Sequence, residues 1–145
     1  SKQETIKLSS LSTATLRGEE TRCAIAARLF MWEHNVVQPA ARQHLGEPVA
    51  EILHFGSYSC RTIRGSSATS EHATANAFDI SGFRLSSGKL VSLKQQWQGS
   101  QPEAEFLKAV RDGACDYFNV VLSPDYNADH HDHLHVDMGW YRTCR

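Results

Sequence analysis

Residues 129–138 of the chain read DHHDHLHVDM, and the second half of this stretch decides the fold. His133 and His135 alternate there with Leu134 and Val136. Because successive side chains of a β-strand point to opposite faces, the alternation predicts a strand with two imidazoles on one face and two apolar side chains against a core. A strand that is buried on one face needs partner strands in the same sheet.

Further strands are predicted where short apolar runs lie between turn residues. Together with the histidine strand, they cover residues 49–55, 73–83, 91–93, 120–122 and 133–138. A hairpin turn at 85–90 is expected to join the second and third of them.

Helices are predicted before and between these strands. Apolar residues recur at helical spacing over 19–34, and Pro39 can open a second short helix that Gly46 ends. The segment Ser100-Gln-Pro-Glu is predicted to be a capping box for a helix over 100–118. The buried apolar stripe of this helix is expected to consist of Phe106, Leu107, Val110, Ala114 and Phe118. This arrangement predicts an α+β fold, a single domain with a central antiparallel sheet flanked by helices.

The size and charge of the chain restrict its function. Its 145 residues fit one domain, which we assign to residues 19–145 after an extended N-terminal arm at 1–18. With 15 basic and 16 acidic side chains, the net charge is −1, which argues against electrostatic binding of nucleic acid. No apolar run is long enough to span a membrane.

Four widely spaced cysteines lie outside any Cys-x-x-Cys pair: Cys23, Cys60, Cys115 and Cys144. An even number at wide spacing favours two disulfides in an oxidising compartment, with buried free thiols as the alternative. Three pairings are open. We take Cys60 with Cys115 and Cys23 with Cys144 as the working assumption.

Two clusters carry side chains of the kind that bind metals. The first is Ser-x-His72 followed by Asp79, and the second is the pair His133 and His135. Imidazole nitrogen and carboxylate oxygen are the usual N/O ligands of zinc, and three protein ligands leave a position for water, as in catalytic sites. A closed structural site is the alternative, with His130 or His131 as a fourth ligand.

Four strings resemble the bacterial extensin-like C-terminal domain: SYSCR at 57–61, SEHATANAFDI at 70–80, ACDYF at 114–118 and NADHHDHLHVD at 127–137. That domain is similar to the LAS zinc metallopeptidases, which include lysostaphin-type enzymes, D-Ala-D-Ala peptidases and the hedgehog fold. The resemblance extends over residues 19–145. It implies a hedgehog/DD-peptidase-like fold.

The same resemblance implies roles for individual residues. His72, Asp79 and His135 match the zinc ligands, and His133 matches the base or transition-state stabiliser. The match for His130 is a further active-site histidine of the murein endopeptidases. Arg61 resembles the arginine that steadies the substrate carbonyl or the developing oxyanion.

The resemblance therefore implies a zinc-dependent peptidoglycan hydrolase. Its substrates would be the peptide bonds of murein stems or cross-links, cleaved as a D,D- or L,D-endopeptidase or carboxypeptidase. A periplasmic or secreted location accompanies that activity, with the signal peptide absent from this sequence. The alternative is a non-catalytic, zinc-containing domain that binds the cell wall or has a structural role.

Overall fold

The computed structural model describes residues 15–16, 25–55 and 77–145. The strands are β1 Thr15–Leu16, β2 Val49–His54, β3 Ala77–Leu85, β4 Leu90–Ser92, β5 Val120–Leu122, β6 Leu134–Asp137 and β7 Thr143–Cys144. The helices are α1 Ile25–Trp32, α2 Gln38–Leu45, α3 Leu93–Gln96 and α4 Pro102–Ala114. A π-helical segment, Glu33–Val37, joins α1 to α2, and a 3₁₀ turn spans Ala128–His130.

The first two helices form one continuous rod rather than the two separate helices that the sequence predicts. The backbone N–H of Gln38 donates to the carbonyl of Glu33, which is the wider spacing of a π-helix. This wider turn lies directly before Pro39, whose ring and missing N–H are incompatible with an ordinary helix interior. Gly46 ends the rod in the left-handed conformation, with φ of 75°, as predicted.

A buried glutamine ties this rod to the sheet. The amide nitrogen of Gln38 donates to a carboxylate oxygen of Glu33 at 2.7 Å and to the Val49 carbonyl at 2.8 Å. Its amide oxygen accepts the Val49 N–H at 2.9 Å. Val49 is the first residue of β2, so these hydrogen bonds hold the start of that strand in place relative to the helices.

The sheet has the strand order β1-β2-β3-β6-β5-β7 in the part of the chain that the structure describes, with β4 also paired to β3. The four central strands pair antiparallel, as expected, whereas β1 and β7 each add a parallel pair at an edge. The sheet is therefore mixed as a whole, with the predicted antiparallel centre and a parallel pair at each edge. The single α+β domain is confirmed.

One side of β3 is shared by two strands that lie end to end. β6 pairs with residues 77–80 of β3, and β4 pairs with residues 82–84. After β4 the chain leaves the sheet to form α3 and α4, and it re-enters at β5, the strand that precedes β6. The opening between the two strand ends lies beside Ser81.

The core lies between the sheet and the helices. Trp32 contacts Phe83 and Phe118 with its ring, and its indole N–H donates to the Val110 carbonyl at 3.0 Å. Helix α4 buries its predicted apolar stripe of Phe106, Leu107, Val110 and Ala114. A Cβ at Gly113 would overlap the side chain of Val36, so α4 packs closely on the π segment.

Several predicted boundaries change. The prediction of a capping box at Ser100 is wrong, because the N-cap of α4 is Gln101 and its side chain makes no capping hydrogen bond. The predicted end at residue 118 is also wrong, since the helix ends at Ala114. Strands 49–55 and 120–122 are confirmed as β2 and β5, and the histidine strand begins at Leu134. Residues 19–24 and 73–76 of the predicted elements, and most of the arm at 1–18, lie outside the described residues. None of the described helices is long and apolar enough to cross a membrane.

The structure contains a disulfide between Cys115 and Cys144, whose Cα atoms lie 5.7 Å apart. The working assumption that paired these cysteines with Cys60 and Cys23 is therefore wrong. The reason is the parallel pairing of Val121 with Cys144, which brings β7 to the C-terminal end of α4. Cys23 and Cys60 lie outside the described residues.

Candidate metal centre

Two of the predicted metal ligands, Asp79 and His135, face each other in the middle of the sheet. They are direct partners in the antiparallel pairing of β3 with β6. The Oδ1 atom of Asp79 lies 2.9 Å from the Nδ1 atom of His135, and each residue is only 8% exposed. Cross-strand partners share a face of the sheet, so both side chains lie opposite the apolar pair Ile80 and Leu134.

A second carboxylate holds the other side of the same imidazole. The Oδ2 atom of Asp137 lies 2.6 Å from the Nε2 atom of His135. His135 therefore lies between the carboxylates of Asp79 and Asp137. Asp137 is not among the predicted site residues, although the period of two that links His133 to His135 continues to residue 137.

These carboxylates change the protonation of His135. Burial by itself lowers the pKa of the imidazole, but the hydrogen bonds and negative charges of Asp137 and Asp79 outweigh it and raise the pKa to about 9. Without a metal, His135 is accordingly a cation at neutral pH between two carboxylates.

His133 lies at the edge of this group. Its Nδ1 atom is 2.9 Å from Oδ1 of Asp132, and its Nε2 atom is 3.9 Å from Oδ1 of Asp79. The side chain is 15% exposed, and its ring packs against the exposed ring of Phe55 with centroids 6.2 Å apart. The Nδ1 atom is therefore held by the carboxylate of Asp132, while the Nε2 atom faces Asp79.

His130, at the end of the 3₁₀ turn, lies next to the rings of His133 and His135. Its ring centroid is 4.8 Å from that of His133 and 6.3 Å from that of His135. Burial, followed by the charges of these two histidines, lowers the pKa of His130, and its Nδ1 atom lies 2.7 Å from Oδ1 of Asn127. The neighbouring His131 is exposed instead, with Nδ1 3.0 Å from the Ala128 carbonyl oxygen.

A pocket of about 430 Å³ adjoins these histidines. It occupies the opening between the ends of β4 and β6, where Ser81 and Gly82 form part of its wall. Phe55 and Asp132, which both contact His133, line it on one side, and Lys94 lines it on another. The pocket is thus linked to the histidine cluster through Phe55 and Asp132.

The structure can assess only part of the predicted site. It brings together Asp79, His135, His133 and His130, whereas His72 and Arg61 lie outside the described residues. Within residues 25–55 and 77–145, no three His, Cys, Asp or Glu side chains form a group that could hold a metal ion. His72, the third predicted ligand, is not among these residues.

Asp79 and His135, the two predicted ligands that the structure describes, suit zinc by the chemistry of their donor atoms. At zinc–ligand distances near 2.0–2.1 Å, neighbouring ligand atoms of a tetrahedral site lie about 3.3 Å apart. The 2.9 Å between Asp79 Oδ1 and His135 Nδ1 is the length of a direct hydrogen bond, so the two side chains would have to separate by about 0.4 Å to bind one zinc ion. The donor pair of one carboxylate and one imidazole is also of the type that zinc prefers.

Comparison with protein families finds a match to the family described as "Extensin-like protein C-terminus" over residues 1–145. Comparison with curated proteins finds no significant match, and comparison with solved structures finds none either.

Proposed function

The chain belongs to the Extensin-like protein C-terminus family, and we propose that it is a zinc-dependent peptidase that hydrolyses peptide bonds of peptidoglycan. The observation that carries the proposal is the meeting of Asp79 and His135, which are 56 positions apart in the sequence, with their donor atoms at 2.9 Å. The imidazoles of His133 and His130 lie beside this pair, and a pocket lies next to His133, lined in part by Phe55 and Asp132. A group of this composition is typical of hydrolytic sites.

Asp79 and His135, together with His72, would hold the zinc ion. When bound at such a site, zinc polarises a carbonyl group and makes water a nucleophile at neutral pH. The fold supports the described part of this site rigidly, because both ligands lie in central strands of the sheet.

His133 is the general base in this proposal. Asp132 holds the Nδ1 atom of its ring, which leaves Nε2 to accept a proton from the attacking water and return it to the leaving amine. The distance of 3.9 Å between this Nε2 atom and Oδ1 of Asp79 supports such a role next to the proposed zinc site.

The surroundings of His130 limit its role. When its Nδ1–H donates to Asn127 Oδ1, the Nε2 atom of the neutral ring is an acceptor. An acceptor cannot stabilise an oxyanion, so we assign that task to Arg61 and assign to His130 the orientation of a substrate N–H group. Removal of one oxyanion donor typically costs about 2.7–4 kcal/mol in transition-state stabilisation.

The pocket would bind the peptide next to the scissile bond. Its volume of about 430 Å³ is that of a small-ligand site, and its wall combines apolar side chains with the opposite charges of Lys94 and Asp132. A peptide that carries both carboxylate and amine groups fits this combination. The Cys115–Cys144 disulfide supports an oxidising compartment, so we propose a periplasmic or secreted location.

Defined muropeptides test this proposal. We expect the zinc-loaded protein to produce new peptide fragments, detected by mass spectrometry, and a chelator to stop their formation. The matched variant His133→Ala should keep zinc at wild-type stoichiometry but lose at least roughly 100-fold in turnover, because the base is removed and the ligands stay.

The fragments also identify which bond is cleaved, and whether cleavage is internal or terminal. Zinc-loaded protein that leaves every muropeptide intact would contradict a peptidase and favour the non-catalytic wall-binding domain. Wild-type turnover by His133→Ala would show that another residue is the base.

A further inference from the structure

Asp137 is almost completely buried, and both of its carboxylate oxygens have partners. The residue is 1% exposed. Its Oδ1 atom accepts the backbone N–H of Gly139 at 2.7 Å, and its Oδ2 atom lies 2.6 Å from Nε2 of His135. Its backbone pairs with Ala77 on one side and with Val120 on the other. The carboxylate is therefore fixed in the middle of the sheet.

Gly139 contributes to this fixation in a second way. A Cβ added to it would lie 2.9 Å from Oδ1 of Asp137. Such a distance forces the carboxylate to shift, because real Cβ contacts are longer. A glycine at this position therefore leaves the carboxylate where it is.

The position of this carboxylate decides which nitrogen of His135 carries the proton. A carboxylate only accepts hydrogen bonds, so the Nε2 atom that faces Asp137 must be the donor. In the metal-free protein the same rule makes Nδ1 a donor to Asp79, so both ring nitrogens carry a proton. A ring that binds a metal would be neutral with one proton, which the contact with Asp137 would keep on Nε2, leaving the lone pair on Nδ1. Nδ1 is the atom that faces Asp79.

We propose that Asp137 is a positioning residue that directs the lone pair of Nδ1 of His135 toward the zinc ion. The inference rests on the proposed zinc site and adds to it the residue that orients a ligand. Partners of this kind are usual for histidines that bind metals, and their loss typically weakens metal affinity by roughly 10- to 100-fold.

The variant Asp137→Asn replaces one acceptor oxygen of the side chain by a donor NH₂ group and leaves the size of the side chain nearly unchanged. The Gly139 N–H needs an acceptor, so the amide oxygen of the introduced asparagine would turn toward it, and the NH₂ group would face Nε2 of His135. Nε2 must then be the acceptor, and the proton moves to Nδ1. The nitrogen that should bind the metal is thereby blocked.

Zinc affinity tests the inference without reference to activity. In competition with a chromophoric chelator, we expect Asp137→Asn to bind zinc roughly 10- to 100-fold more weakly than the wild type. Gly139→Ala should weaken binding in the same direction, since it displaces the carboxylate. Asp116→Asn, the same substitution at an exposed position after α4, should bind zinc like the wild type.

Nitrogen NMR of the zinc-loaded wild type tests it without any variant. We expect the signals of His135 to show zinc at Nδ1 and a proton at Nε2. Zinc at Nε2, or wild-type affinity in a folded Asp137→Asn, would overturn the role of Asp137 while leaving the peptidase proposal intact. A wild type that binds zinc at Nδ1 but cleaves no muropeptide would instead overturn only the peptidase, and a wild type without zinc affinity would overturn both.

Discussion

At the scale of single residues, His135 is the most constrained side chain of the centre. It is 8% exposed, and hydrogen bonds with Asp79 and Asp137 hold both of its ring nitrogens. Two buried carboxylates around one imidazole are costly unless a positive charge lies between them. In the absence of metal, the protonated ring supplies that charge; in the proposed holoprotein, zinc replaces it.

This arrangement predicts how the stability of the metal-free protein depends on pH. The pKa of His135 in the folded state, about 9, is higher than the unfolded value of 6.5, so protonation stabilises the folded state. That contribution is fully present below pH 6.5 and is lost as pH rises from 6.5 to about 9. With a pKa difference of this size, it amounts to about 3 kcal/mol.

Urea unfolding with a chelator present, at about pH 6 and about pH 9.5, measures this contribution. His135→Gln is the control, because the glutamine side chain does not titrate. We expect the wild type to lose about 3 kcal/mol more than the variant between the two pH values. Equal losses for both proteins would show that His135 is not charged in the folded metal-free state.

At the scale of elements, the site depends on how β3 changes its partner. β6 pairs with its first half and β4 with its second half, and the pocket opens where the two strand ends approach each other. Gly82 lies at this point. A Cβ there would be 2.6 Å from the Val91 carbonyl oxygen, so the close approach of β4 requires glycine.

Gly82→Ala is therefore expected to separate β4 from β3. Because the clash is with backbone rather than with a flexible side chain, we expect a loss of about 1–3 kcal/mol in the free energy of unfolding, measured in urea. Ser81→Ala, at the neighbouring residue of the pocket wall, is the control and should change stability much less. A Gly82→Ala protein as stable as the wild type would show that β4 has room to move.

At the scale of the whole molecule, the Cys115–Cys144 disulfide fastens the C-terminal edge of the sheet. It links β7 to the end of α4, across a sequence separation of 29 residues. Strand β7 has only two residues and pairs with β5 alone among the described strands. A short edge strand of this kind gains much of its stability from a covalent link.

The double variant Cys115→Ser/Cys144→Ser should lose roughly 3–4 kcal/mol of stability, the chain-entropy value for a loop of this length. Urea unfolding measures the loss, and the single variant Cys144→Ser should match the double variant because either removes the bond. Unchanged unfolding would mean that the pairing of β7 with β5 is sufficient without it.

The sequence by itself determined the local structure around the centre. The alternation of His133 and His135 with Leu134 and Val136 predicted which side chains of β6 face the core, and Leu134 and Val136 are indeed fully buried. The stop at Gly46 and the apolar stripe of α4 were predicted for the same reason. Each of these features repeats with the period of one strand or one helix, or marks its end, so a short window of residues contains it.

Only the tertiary structure decided which of these side chains meet. A period of two assigns a residue to a face but does not name the partner across the sheet. The pairing of Asp79 with His135 and the bond between Cys115 and Cys144 therefore could not be read from spacing. The contact of Asp137 with His135 could not be predicted either, because the distance between them depends on how β6 is held between β3 and β5.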